Sequence, residues 1–162
     1  MDQQRTRRQY LLGVGSLGIA ALAGCSGGSA ATPSGTPRPT LTADASFDGW
    51  LATTTNFDGS VVDARDQAET TVTVGALGNG GSRAYAPAAI AVDPGTTVVW
   101  EWTGNGGAHD VVSPGGAFRS EIYYEAGPHF EHTFESEGVY EYYCTPHQRV
   151  GMKGVVAVGS IE

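Results

Sequence analysis

Apolar and polar positions alternate in short runs along the chain from Thr71 onward. In TVTVGAL (71–77) Val72 and Val74 fall on one side and Thr71 and Thr73 on the other, the period of a half-buried strand. AIAV (89–92) is followed by an Asp-Pro-Gly turn at 93–95 and then TTVVWEW (96–102). In that run Val98, Trp100 and Trp102 share one face, with Val99 and Glu101 on the other. Further strands are expected at His109–Val112, Phe130–Phe134, Val139–Tyr143 and Gly154–Val158. Seven or eight short strands separated by Gly, Pro and Asp turns predict an all-β, antiparallel β-sandwich over residues 70–162. No long amphipathic helix is expected in this region. The Gly-rich TGNGGAH (103–109) lacks both the Gly-Lys-Ser/Thr ending and the following helix of a phosphate-binding loop.

Ahead of the strands the pattern changes three times. Residues 1–24 carry Arg5, Arg7 and Arg8 and then an apolar, Gly-rich run, too short for a convincing membrane span. TRRQYLL (6–12) resembles a twin-arginine export signal, and LAGC (22–25) resembles a lipobox in which Cys25 becomes the lipidated N-terminus. Residues 25–45 thus begin at the lipidated cysteine and continue as a linker rich in Ser, Gly, Pro, Thr and Ala. Residues 46–69 form a lead-in segment with two FDG turns, at 47–49 and 57–59, whose Phe47, Trp50, Leu51 and Phe57 are suited to packing a turn against the sandwich.

Charge narrows the partners. The 162 residues hold 17 Asp+Glu against 9 Lys+Arg, a net charge of -8, and Lys153 is the single lysine. Removing residues 1–24 leaves 16 Asp+Glu against 6 Lys+Arg, or -10. Such a surface repels nucleic acid and suits a salty medium, where screening weakens self-repulsion.

The chemistry concentrates in EYYCTPHQRVGMKG (141–154). Only Cys25 and Cys144 exist, so there is no disulfide framework, and a lone Cys144 in an exported protein needs protection from oxidation. Cys144 ends a strand, Pro146 turns the chain to present His147, and the loop ends on Met152. Thiolate, imidazole and thioether then converge from one loop. His109, after the flexible GNGGA and ahead of HDVV, is the candidate for a fourth ligand. Two His and a Cys with a weak axial Met make a blue-copper site. Zinc more commonly takes further Cys or His, and calcium and magnesium take oxygens. His129 and His132, at i and i+3 in a strand, are expected to face opposite sides at the surface.

YYCTPHQRVGMKG, with its Cys-x2-His-x4-Met spacing, resembles the copper loop of plastocyanin-type cupredoxins. The stretches AVDPGTTVVWEWTGNGGAHDVVSP and FEHTFESEGVYEYYCTPH are similar to halocyanins, small blue copper proteins of salt-loving archaea. The resemblance implies a Greek-key cupredoxin sandwich and one copper ion, cycling between Cu2+ and Cu+ and held by His109, Cys144, His147 and Met152. It also implies single-electron shuttling without enzyme activity, transient protein redox partners and a monomer. The single cysteine of the sandwich argues against a dinuclear centre. Asp110 departs from the Asn more usual after the first ligand. An ionised Asp only accepts hydrogen bonds, and here it is expected to accept from the Thr145 backbone.

Other classes fit less well. Copper storage calls for more Met or His donors, and the chain has two Met and four His. A multicopper oxidase or nitrite reductase needs further His-rich sites and a longer chain. A Cys144 nucleophile lacks an evident base and oxyanion hole. With the export signal and lipobox, the expected location is the outer face of the cytoplasmic membrane, tethered through Cys25. Cell fractionation tests this: wild type is expected in membranes and Cys25→Ser in the soluble fraction, and equal membrane retention of both would refute the anchor.

Overall fold

The computed structural model describes residues 40–42 and 47–160. The export signal, the lipobox with Cys25 and most of the linker lie outside the described residues.

Among the described residues, nine strands form two sheets. The first sheet contains β1 (Thr40–Thr42), β2 (Ser60–Asp63), β5 (Ala89–Val92), β8 (Gly138–Tyr143) and β9 (Lys153–Val158), in the order β1-β2-β5-β9-β8. The second contains β3 (Glu69–Gly78), β4 (Gly81–Ala86), β6 (Thr96–Thr103) and β7 (Ala126–Phe134), in the order β4-β3-β6-β7. The sandwich is the expected one, but its sheets are mixed: β2–β5, β3–β6 and β5–β9 are parallel. Alternation reports which face of a strand is buried, not the direction of its neighbour. Consecutive strands that stay in one sheet (β1–β2, β3–β4, β6–β7 and β8–β9) pair antiparallel, whereas the parallel neighbours are brought together by connections that cross between the sheets and so come from more distant sequence.

Three strands lie beyond those expected. β1 falls in the linker and β2 in the lead-in, so both stretches contribute to the sheet. β4 was signalled by Asn79-Gly80, a two-residue loop with positive φ at both positions (54° and 79°), the combination that a type I′ hairpin requires. Conversely, His109–Val112 forms no continuous strand. It makes isolated bridges, His109 to Tyr123 and Val112 to both Arg119 and Tyr143.

Alternation does place the core. Val98, Trp100 and Trp102 of β6 are buried while Glu101 is exposed. Between the sheets, Trp100 meets Tyr142 edge-on at 5.5 Å and lies 5.3 Å from Phe130 and 5.6 Å from Phe118. A second cluster forms on the outer face of the first sheet. There Leu51, Val61, Ala89, Ala91 and Val155 are buried, with Phe47, Trp50 and Phe57 packed against them. The expected docking of the lead-in is realised, and it covers apolar positions that β5 and β9 present on that outer face.

His129 and His132 depart from expectation. A register shift between Trp100 and Glu101, opposite Phe130 and Pro128, adds one residue to β7 and rotates the strand. Both rings are half-buried. His129 stacks on Tyr123 at 4.4 Å and meets Trp102 edge-on, and His132 packs on Phe118 and Phe134. The bulge thus turns both toward the aromatic core instead of to opposite sides.

Trp100→Ala would empty the centre of this cluster, and a buried Trp-to-Ala change costs about 3–5 kcal/mol. Urea unfolding of the copper-free protein is expected to show a loss in that range.

Candidate metal centre

Two segments meet at one end of the sandwich. The first, residues 105–112, leaves β6 through a Gly-rich turn. Its backbone is held by side chains: Trp102 Nε1 donates to the His109 carbonyl (3.2 Å), Tyr85 Oη to the Asp110 carbonyl (2.5 Å), and Val111 N to Ser120 Oγ (2.9 Å). Gly106 has φ 85°, and a Cβ there would run into the Ser82 carbonyl and close on His109 Nε2. The turn can therefore tuck beneath the imidazole only with glycine at this position.

The second segment starts where β8 ends at Tyr143. Cys144 N donates to the Met152 carbonyl (3.0 Å), and a short 3-10 turn, Thr145–Val150, carries His147. His147 N donates to the Cys144 carbonyl (3.1 Å) and Met152 N to the His147 carbonyl (3.2 Å). The loop is thus closed upon itself, with Gly151 in the left-handed region ending the turn. Val112 and Tyr143 exchange two backbone hydrogen bonds, each 3.0 Å, which lock the two segments together.

Three ligand atoms consequently face one another. Cys144 Sγ lies 3.6 Å from His109 Nδ1 and 3.5 Å from His147 Nδ1, and the two nitrogens are 3.2 Å apart. A point equidistant from all three lies about 2.0 Å from each, within the range of metal–imidazole bonds. His109 Nε2 donates to the Asn105 carbonyl at 2.9 Å, so the neutral ring presents the Nδ1 lone pair to the cluster. Among the described residues this is the one grouping of three or more His, Cys or acidic side chains suited to a metal ion. Met152 is fully buried, its backbone bonded to both Cys144 and His147.

Electrostatics supports the same use. Burial pushes the Cys144 thiol up to about 12, against the backbone N–H groups of Asp110 and His147. The imidazole of His109 is held below its usual range by desolvation, opposed by the Asn105 carbonyl and Asp110. That of His147 is lowered by desolvation and then by His109. Neutral imidazoles are ready donors, whereas a thiolate here needs a cation beside it. Sulfur, two imidazole nitrogens and a buried thioether fit copper better than zinc or a hard cation.

Asp110 stands where expected. It is fully buried, and its Oδ1 accepts from Thr145 N at 2.6 Å, linking the His109 segment to the Cys144 loop. Its Oδ2 is buried without a partner. Asn105, Tyr85, Asn79 and Thr54, which support the two segments, were not legible as site residues: Tyr85, Asn79 and Thr54 each donate to a backbone carbonyl far away in sequence, and Asn105 acts through its own backbone carbonyl rather than its side chain.

Residues 71–159 match the family described as copper binding proteins, plastocyanin/azurin family. The chain belongs to this family, and its cofactor is one copper ion. Within it, the chain is 44% identical to halocyanin of Natronomonas pharaonis over 168 residues, covering 94% of this chain and 97% of that protein. It is 39% identical over 91 residues to the chloroplastic plastocyanin of Physcomitrium patens, covering 50% of this chain and 54% of the plastocyanin. Among solved structures, a purple cupredoxin from Nitrosopumilus maritimus is 30% identical, with a TM-score of 0.45 over 56% of this chain and 99% of that one.

Asp110→Asn keeps the acceptor for Thr145 and removes a carboxylate that favours the more highly charged cation. The variant is expected to have a higher reduction potential than wild type by protein-film voltammetry, and an unchanged potential would show that the Asp110 charge does not reach the metal.

Proposed function

We propose that this protein is a membrane-tethered blue copper protein that shuttles single electrons between protein partners, with His109, Cys144, His147 and Met152 as the copper ligands. The observation that carries this reading is the triangle of Sγ and two Nδ1 atoms, 3.2–3.6 Å on a side, built by backbone bonds within the protein. Copper, when bound, supplies a one-electron Cu2+/Cu+ couple.

The chain's own residues set the conditions for that couple. The Val112–Tyr143 pairing and the Asp110–Thr145 bond hold His109 and Cys144 in one arrangement, so little has to move on a change of charge. Burial of Cys144, His109 and Met152 excludes water from most of the cluster. His147 is half-buried among exposed Thr145, Pro146 and Gln148, which makes it the ligand a redox partner can approach. Small, brief contacts are normal for such carriers.

In this reading the protein is a carrier, not an enzyme, and acts as a monomer. A twin-arginine signal at 6–12 and a lipobox ending at Cys25 support export and a lipid anchor on the outer face of the cytoplasmic membrane.

The test is a visible and EPR spectrum of the full chain with Cu(II) in high salt. Intense red-light absorption with narrow copper hyperfine splitting is expected, and a colourless tetragonal signal would overturn the assignment. Cys144→Ala is expected to abolish the band. Met152→Leu is expected to keep the blue colour and raise the reduction potential by voltammetry, because the weak axial donor is lost.

A further inference from the structure

The lead-in stretch before Glu69 lies outside the residues matched by the copper-binding family, 71–159, yet it contacts the metal loop at a place that matters. Thr54 is 4% exposed, and its Oγ1 donates to the Gly151 carbonyl at 2.9 Å. Asn79, 6% exposed, donates through Nδ2 to the same carbonyl at 3.1 Å. Thr55 and Asn79 bond reciprocally: Thr55 N donates to Asn79 Oδ1 (2.9 Å) and Asn79 N to Thr55 Oγ1 (2.6 Å). On the other side of Met152, Trp50 Nε1 donates to the Gly154 carbonyl at 3.2 Å. Lys153 Nζ donates to the Trp50 carbonyl at 3.3 Å and sits 4.7 Å from the centre of its ring.

The contacts bracket one residue. Gly151 precedes Met152 and Lys153 follows it, and the lead-in grips both neighbours. The fit is close, since a Cβ on Gly151 would collide with the Thr53 carbonyl. Methionine has a long, rotatable side chain, and an axial thioether is a weak ligand. Its approach to the metal therefore depends on where the backbone of residues 151–153 is fixed.

We propose that Thr54 and the Thr55–Asn79 pair, reinforced by Trp50, are positioning residues for the Met152 thioether, so that the lead-in segment tunes the reduction potential of the site. This rests on the copper reading above, with Met152 as axial donor. Removing the Thr54 hydroxyl leaves the Gly151 carbonyl with fewer buried donors. That loosens residues 151–153 and weakens the thioether's hold, which favours the reduced ion.

The experiment compares full-length wild type, Thr54→Val, Thr54→Ser and Thr55→Ala. Thr55 is exposed, so its variant probes the clamp with little risk to folding. Hydrogen exchange is followed at the Met152 and Lys153 amides of the copper-free proteins, with β6 amides as the reference. Reduction potential and visible spectrum are recorded on the copper-loaded proteins. In Thr54→Val, exchange at Met152 and Lys153 is expected to speed by about tenfold relative to β6, the scale of one lost buried hydrogen bond. The potential is expected to rise, Thr55→Ala to follow in the same direction, and Thr54→Ser to restore both quantities. Unchanged exchange at 152–153, equal acceleration throughout β6, or a potential identical to wild type would overturn the proposal. A wild type without the red-light band would sink the copper reading instead, and exchange in the copper-free proteins would still decide the clamp.

Discussion

Two backbone hydrogen bonds between Val112 and Tyr143, each 3.0 Å, bring the two halves of the site together. The His109 segment arrives from β6 of one sheet, and Cys144 directly follows β8 of the other. Without that pairing the two would be loop ends of separate layers. With it, His109 sits three residues from the joint on one side and Cys144 one residue from it on the other. Asp110 then reaches Thr145 N, and the ligand triangle closes.

The arrangement places costly groups together. A buried thiol and two partly desolvated imidazoles converge, with a carboxyl whose Oδ2 has no partner beside them. Such a cluster is unfavourable by itself, and the surrounding structure carries it. The aromatic core about Trp100, the side-chain bonds to the backbone of residues 109–111, and the lead-in's grip on Gly151 all restrain the same end of the sandwich. Rigidity at a redox centre comes from this redundancy. The His147 turn is the most exposed part of the site.

Much was legible because it was local. Alternation at Val98, Trp100 and Trp102 gave the correct buried face, since side-chain direction follows the backbone period. Cys144, His147 and Met152 lie in one loop, so their spacing alone constrained what they could hold. His109 was reachable by asking what the set lacked. β4 was missed although Asn79-Gly80 announced its hairpin. The orientation of His129 was out of reach, because a bulge set by pairing with β6 rotates it.

The sequence by itself determined a β-rich sandwich, a donor set of imidazole, thiolate and thioether, and an acidic character that disfavours nucleic acid. Periodicity, ligand chemistry and charge are properties of the chain and survive without coordinates. Tertiary structure decided the parallel pairings, the tautomer of His109 through Asn105, the unpartnered oxygen of Asp110 and the seat of the lead-in against Gly151. The parallel pairings and the seat of the lead-in join residues distant in sequence, and they, like the Asn105 contact, are made through backbone groups; a backbone group is the same at every residue, so nothing in the sequence marks which one will be met.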